Sequence, residues 1–217
     1  AVMAADGYSR ISMRKKFGVV AVQSQAGAEN AMGGIAQAAA DNIPILILLG
    51  GNSLDQISVK PNFNAVQKYQ GWVKQVEAIY SPTQVGAVMR RAFNALKNGP
   101  PGPVVVEMTT DVCQQNVPEE YQNYKSPSYS LQVPNTNEIA KAIELWQKAR
   151  KPVIWAGGGV LASSGSIPLK ELAELTATPV FCTMPGKSSF DERHPLALGA
   201  GCGTTTEMAH KWLTESD

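Results

Sequence analysis

The chain of 217 residues is poor in the features that announce several functional classes. Its three cysteines, Cys113, Cys182 and Cys202, are odd in number and far apart, which excludes a disulfide framework and paired zinc-binding thiols. Reduced thiols in a cytoplasmic protein follow as the simplest expectation. The two histidines, His194 and His210, sit beside no nucleophile motif and in no metal-ligand spacing. Charge is scarce at 17% and balanced, nineteen basic residues against eighteen acidic, so there is no electrostatic footprint for nucleic acid or an anionic membrane. No apolar run nears the roughly 20 residues that cross a bilayer. The strongest, Ile43 to Leu49, is interrupted by Pro44 and is strand-sized. No serine lies in a GxSxG elbow, which removes support for hydrolase chemistry.

What is present is a 44% hydrophobic content arranged in alternating patterns. In the first half, apolar runs at Phe17–Val22, Ile43–Gly50 and Pro103–Met108 alternate with helical periodicities at 28–42 and 82–99. Continuous apolar strands between helices predict a parallel sheet covered on both faces. Val85, Val88, Met89, Ala92, Phe93 and Leu96 fall on one face of the second helix. Ser81 and Pro82 open that helix, and Gly99 closes it. Asp6 and Arg10, one turn apart, read as an ordinary solvated pair. From Cys113 to Asn135 the composition turns to Gln, Asn, Pro, Ser and Tyr without a period, as an interdomain linker would. Regular patterning resumes with a helix placing Ile139, Ala142, Ile143 and Trp146 on one face. Strands at 152–156 and 178–183, a helix at 166–177 and a glycine-rich stretch LGAGCG follow. The expected fold class is α/β with two doubly wound parallel-sheet domains, both incomplete: residues 1–112, a linker at 113–135, and residues 136–217.

Two segments could carry chemistry. Gly157, Gly158 and Gly159 follow a strand and precede a helix, where glycines let backbone approach phosphate. The spacing is not GxGxxG and no Walker lysine is present, so a tight strand-to-helix turn explains them equally well. Gly186-Lys187 could reach an anion, or Lys187 could be a solvated surface lysine. The more unusual segment is the polar loop Gln23 to Asn30 between an apolar strand and an Ala/Gly-rich helix, at the carboxyl end of a parallel strand where α/β proteins bind ligands.

At this loop the order of motifs becomes recognisable. The run AADGYSR…FGVVAVQSQAGAEN…GGIAQAAADNIPILILLGG…NGPPGPVVVEM resembles the pyrimidine-binding domain of the thiamine-diphosphate-dependent decarboxylase and acetolactate synthase superfamily. KPVIWAGGGV…ELAELTATPVFCTMPGKSSFDERHPLALG resembles that family's central domain. The family's G-P-G-x-x-N turn aligns on Gln25 to Asn30. Gly27 and Asn30 match, while Gln25 and Ala26 depart from it. Its T-G-Q aligns near Leu49-Gly50-Gly51 with Asn52 as a replacement amide, and its F-Q segment aligns on Phe63-Asn64.

The resemblance implies a cofactor-facing set of Gln25, Ala26, Gly27, Asn30, Gly50 and Gly51, and a substrate-facing set of Asn52, Phe63 and Asn64. Nucleotide positions, for FAD, fall at Gly157 to Gly159, Thr183, Gly186 and Lys187. It implies a lyase or carboligase acting on a small 2-oxo acid, using thiamine diphosphate and magnesium in a homodimer or homotetramer. The activating glutamate is expected upstream of Ala1, and the G-D-G…N signature that holds diphosphate and metal is absent from these residues. No catalytic residue is therefore assigned, and the 217-residue chain is expected to be inert by itself. The alternative is a non-catalytic nucleotide-binding or subunit-interaction module with the same fold.

Overall fold

The computed structural model describes residues 1–130 and 132–217, which form two compact units, Ala1–Leu131 and Gln132–Asp217. Elements of the first are α1 (Val2–Ile11), β1 (Gly18–Val22), α2 (Ala26–Ala40), β2 (Ile45–Gly51), α3 (Ala65–Tyr69), β3 (Gln75–Ile79), α4 (Val85–Lys97), β4 (Val104–Thr109) and α5 (Thr110–Cys113). The second contains α6 (Thr136–Lys148), β5 (Ile154–Ala156), α7 (Gly158–Ala162), α8 (Ser166–Thr176), β6 (Val180–Thr183), β7 (Ala197–Gly201) and α9 (Glu207–Glu215).

The first unit is a wholly parallel sheet of order β1-β2-β4-β3. Side chains alternate across it. Ile45, Ile47, Leu49 and Val105 face α1, α2 and α3, while Leu46, Val104 and Val106 face α4. All seven are buried, as central strands covered on both faces must be. The helix read from the 82–99 pattern opens with a helical turn at Pro82–Gln84, where the Ser81 hydroxyl accepts from the Thr83 N–H. It then buries Val88, Ala92 and Leu96 against the sheet. β3 carried no apolar run to betray it, being an edge strand of sequence QVEAI.

The AADGYSR segment is a clamp rather than the solvated helix turn expected of it. Asp6 is buried, Arg10 binds its two oxygens at 2.6 and 3.2 Å, and the same guanidinium reaches Asp41 at 2.7 Å, joining α1 to the end of α2. The Ser9 hydroxyl donates to the Pro44 carbonyl at 2.7 Å and accepts from the Gly18 N–H at 2.8 Å. A Cβ at Gly18 would stand 2.2 Å from the Ala5 carbonyl oxygen, so only glycine lets β1 pass under α1.

Of the 113–135 stretch, Leu131 lies outside the described residues. Residues 124–130 run along α4 of the first unit. Tyr124 packs 5.9 Å from Phe93, Lys97 Nζ binds Ser126 Oγ at 2.7 Å, and Ser130 N–H binds Asn98 Oδ1 at 2.6 Å.

The second unit has a parallel sheet of order β5-β6-β7 among the described residues. The first four residues of the LGAGCG stretch, read only as glycine-rich, lie in β7. Val180 pairs with Ala197 and Phe181 with Gly199, so the register skips one residue, and Gly199 takes a φ of +89° at that bulge. The face of α6 that carries Ile139, Ala142, Ile143 and Trp146 is not covered by the described residues: no residue of α6 is buried, and Ile139 and Ile143 are exposed. Helical periodicity records which face could be buried, not whether a layer packs on it.

Candidate functional site

In a parallel sheet the carboxyl ends of the strands open onto one edge, and here that edge is built by the ends of β1, β2 and β4. β1 ends at Val22 and the chain turns through Gln23-Ser24-Gln25 into α2. Gln25 adopts φ 55° and ψ −113°, a conformation that L-residues rarely take. Its side chain accounts for the position. Gln25 Oε1 accepts from the Phe63 N–H at 2.9 Å, and Nε2 donates to Asn62 Oδ1 at 2.8 Å. Asn52, just past the end of β2, donates from Nδ2 to the same Asn62 oxygen at 3.1 Å. Asn64 caps α3 by accepting from the Gln67 N–H at 2.9 Å. The structure thus brings Gln25, Asn52 and the Phe63 backbone together, through an Asn62 that sequence reasoning did not single out, and leaves the Asn64 side chain to its cap.

Gly50 and Gly51 make this approach possible. A Cβ on Gly50 would lie 3.2 Å from the Ser24 N, and one on Gly51 would lie 3.0 Å from Glu107 Cγ. Glu107 itself is a second residue the sequence did not flag. It is only 9% exposed, forms no hydrogen bond or ion pair among the described residues, and burial pushes its carboxyl above the usual range. An acid inside the run VVVEM carries no sequence signal beyond its oddity in an apolar strand. Tyr69, fully buried, donates its hydroxyl to the Ala28 carbonyl at 2.6 Å, and burial pushes its pKa up to about 12. That bond ties α3 to the first turn of α2.

Beside this cluster, Gly27 and Asn30 line a shallow depression of about 240 Å³ together with Ala1, Val2, Met3, Val22, Ala31 and Gly34. Its side chains are apolar with one amide, and backbone polar groups share the lining. A Cβ on Gly34 would fall 3.0 Å from Val2 Cγ1, so the small residues of α2 set its depth. Ala26 begins α2 at the lip of the turn.

The second set of candidates behaves differently. Gly157, Thr183 and Gly186 do converge. A Cβ on Gly157 would sit 3.9 Å from Thr183 Oγ1, and one on Gly186 would be 2.6 Å from the Ala156 carbonyl oxygen. Backbone therefore fills the space between them. Thr183 Oγ1 is taken by the Gly186 N–H at 3.1 Å, and Lys187 pairs with Glu192 at 2.7 Å. Gly158 and Gly159 open α7, a helix of five residues. His194 is structural: its Nε2 lies 3.1 Å from Glu174 and its ring stands edge-on to Phe190 at 4.9 Å. Among the described residues no three His, Cys, Asp or Glu side chains converge as metal ligands, and no helix is long and apolar enough to cross a membrane.

Comparison with known proteins places this arrangement. The N-terminal TPP-binding domain of thiamine pyrophosphate enzymes matches residues 1–78, and the central domain of the same enzymes matches residues 139–217. The chain is 36% identical over 231 aligned residues to a protein of Methanococcus aeolicus named probable acetolactate synthase large subunit, covering 100% of this chain and 37% of that protein. It is 32% identical over 211 residues to the acetolactate synthase isozyme 3 large subunit of Escherichia coli, covering 92% of this chain and 35% of that one. An X-ray structure of a Mycobacterium smegmatis protein described as a thiamin diphosphate-dependent enzyme superposes with a TM-score of 0.81 at 26% identity, over 92% of this chain and 38% of its own. The chain spans a little over a third of the length of these relatives. With both family domains matched in order and the parallel α/β fold shared, the chain belongs to the thiamine pyrophosphate enzyme family, of which it carries the N-terminal TPP-binding and central domains.

Proposed function

We propose that this chain is the pyrimidine-side and central portion of a thiamine-diphosphate-dependent lyase or carboligase that acts on a small 2-oxo acid, in the manner of an acetolactate synthase. The observation that carries the reading is the carboxyl edge of the first sheet, where a shallow apolar depression with one amide lies beside a cluster of neutral amide side chains. An aminopyrimidine has apolar faces and hydrogen-bonding edges, and Val22, Gly27, Asn30, Ala31 and Gly34 fit both. When bound, the cofactor supplies a carbon nucleophile and an electron sink for decarboxylation of a 2-oxo acid. The chain's own residues orient. Gly27 would meet the ring with its backbone, Asn30 would offer a hydrogen bond, Gln25 and Asn52 would offer N–H donors at the neighbouring strand ends, and Phe63, packed on Tyr69, would keep that side apolar.

The diphosphate, its magnesium ion and the glutamate that activates the pyrimidine are assigned to residues outside this sequence. The central unit supports a flavin less well, because Gly186 is packed against Ala156 and Gly157, and Lys187 is engaged by Glu192. FAD stays a proposal that the visible absorbance of the purified complete protein decides. Three unpaired cysteines support a cytoplasmic setting, and the small residues of α2 support a homodimer or larger assembly.

The complete polypeptide, supplied with thiamine diphosphate, Mg²⁺ and pyruvate, is expected to release carbon dioxide and form a 2-hydroxy-2-methyl-3-oxo acid. Absence of cofactor-dependent release from pyruvate and from other small 2-oxo acids would overturn the reading.

A further inference from the structure

Residues 52–64, which connect β2 to α3, contain no regular structure beyond one helical turn at Leu54–Gln56, yet they lie against the ligand edge. A long irregular segment held at such a place needs a fastening. Asn62 provides it with all of its side-chain polar atoms. Its Oδ1 accepts from Gln25 Nε2 at 2.8 Å and from Asn52 Nδ2 at 3.1 Å, and its Nδ2 donates to the Ile57 carbonyl at 2.6 Å. The next residue completes the junction, Phe63 N–H donating to Gln25 Oε1 at 2.9 Å.

A carbonyl oxygen has two lone pairs, so Asn62 Oδ1 is saturated by its two donors. Each of those donors, a primary amide nitrogen, carries a second hydrogen. Neither the Gln25 Nε2 nor the Asn52 Nδ2 has another acceptor among the described residues. Two neutral N–H groups from the ends of adjacent strands are thus held within one hydrogen bond of the same atom. Gln25 is further constrained by its rare backbone conformation, and Asn52 by following directly on β2.

We infer that Asn62 is a positioning residue: it fixes the Gln25 and Asn52 amides as a pair of neutral donors for the oxygen atoms of one ligand group, a carboxylate or a carbonyl. The identity of that ligand, a 2-oxo acid, rests on the function proposed above; the fastening itself does not. Isosteric Asn62→Leu removes the acceptor and the donor together. Asn62→Asp keeps an oxygen that serves both amides, but turns a second oxygen on the Ile57 carbonyl and brings a negative charge beside the ligand edge, so it reports on the fastening alone.

Two readouts separate the halves of the inference. In the 217-residue chain, the side-chain amide protons of Gln25 and Asn52 are followed by NMR exchange with water. One proton of each is expected to exchange slowly in the wild type and in Asn62→Asp, and at the rate of a free amide in Asn62→Leu. In the complete protein with thiamine diphosphate and Mg²⁺, Asn62→Leu is expected to raise KM for pyruvate by about tenfold or more, with kcat altered less than about threefold. Unchanged exchange in Asn62→Leu overturns the fastening. Faster exchange with an unmoved KM overturns the positioning role. A wild-type complete protein that turns over no 2-oxo acid refutes the proposed function and the ligand half with it, and the exchange measurement then decides the fastening by itself.

Discussion

The two units are assembled from the same kinds of element, yet they bury their sheets to different extents. In the first, α1, α2 and α3 cover one face and α4 the other, and two buried clusters of fourteen and nine side chains result among the described residues. In the second the clusters hold six and three, Trp155 on β5 is 61% exposed, and no residue of α6 is buried. Apolar burial is the main favourable term in folding and scales with area, so within these 217 residues the first unit is expected to be the more stable of the two. The difference also separates function. The first unit spends its rigid sheet on holding a strained turn and an irregular loop at one edge, whereas the glycines of the second are spent on packing backbone against backbone.

The largest test of that contrast is Gly18→Ala. A methyl group 2.2 Å from the Ala5 carbonyl oxygen meets backbone that cannot swing aside. The expected loss is about 3 kcal/mol or more, read as early urea unfolding by Trp72 in the first unit. Gly186→Ala, facing the Ala156 carbonyl at 2.6 Å, is the counterpart in the second unit and is expected to act on the fluorescence of Trp155 and Trp212. If both variants lower every signal equally, the two units do not have separate stabilities.

Ser9→Ala comes next. It strands the buried Gly18 N–H and the Pro44 carbonyl, at a cost of about 2 kcal/mol, measurable as a lower unfolding midpoint. Tyr69→Phe removes one buried hydrogen bond, that to the Ala28 carbonyl, and should cost about 1 kcal/mol with the core otherwise intact. Faster hydrogen exchange is expected at α3 and the first turn of α2 and not in β2.

The smallest effect is a slope. The Glu107 carboxyl has a higher pKa folded than unfolded, because burial disfavours its charge. Between the two values the native state keeps a proton that the unfolded chain has lost, so stability falls as pH rises from the ordinary carboxyl range through the raised value, and the penalty is constant above it. Urea midpoints across that window should fall less steeply in Glu107→Gln than in the wild type. Equal slopes would show that Glu107 titrates as an exposed acid.

The legible parts of the fold were those in which burial leaves a periodic trace. β1, β2 and β4 are built on the apolar runs VVAV, ILILL and VVV, and α4 has a clean apolar face. β3 and β7 escaped because an edge strand needs few apolar side chains and a bulged one is built on glycine. At the site, the Gln25 and Asn52 amides share the Asn62 oxygen and the Phe63 N–H reaches Gln25, whereas the Asn64 side chain turns away to cap α3. Asn62 sits in a polar loop where no spacing rule marks it, and its contacts exist only in three dimensions. The Asp6–Arg10 pair was legible as a pair and not as buried, since Asp41 comes from the far end of the next helix.

Determining the structure of the complete protein with thiamine diphosphate and Mg²⁺ bound tests the central claim most directly. The pyrimidine ring is expected in contact, within about 4 Å, with Gly27 or Asn30, and the Gln25–Asn52 amide pair is expected to face the same space. A ring seated away from the carboxyl ends of β1 and β2 would contradict it.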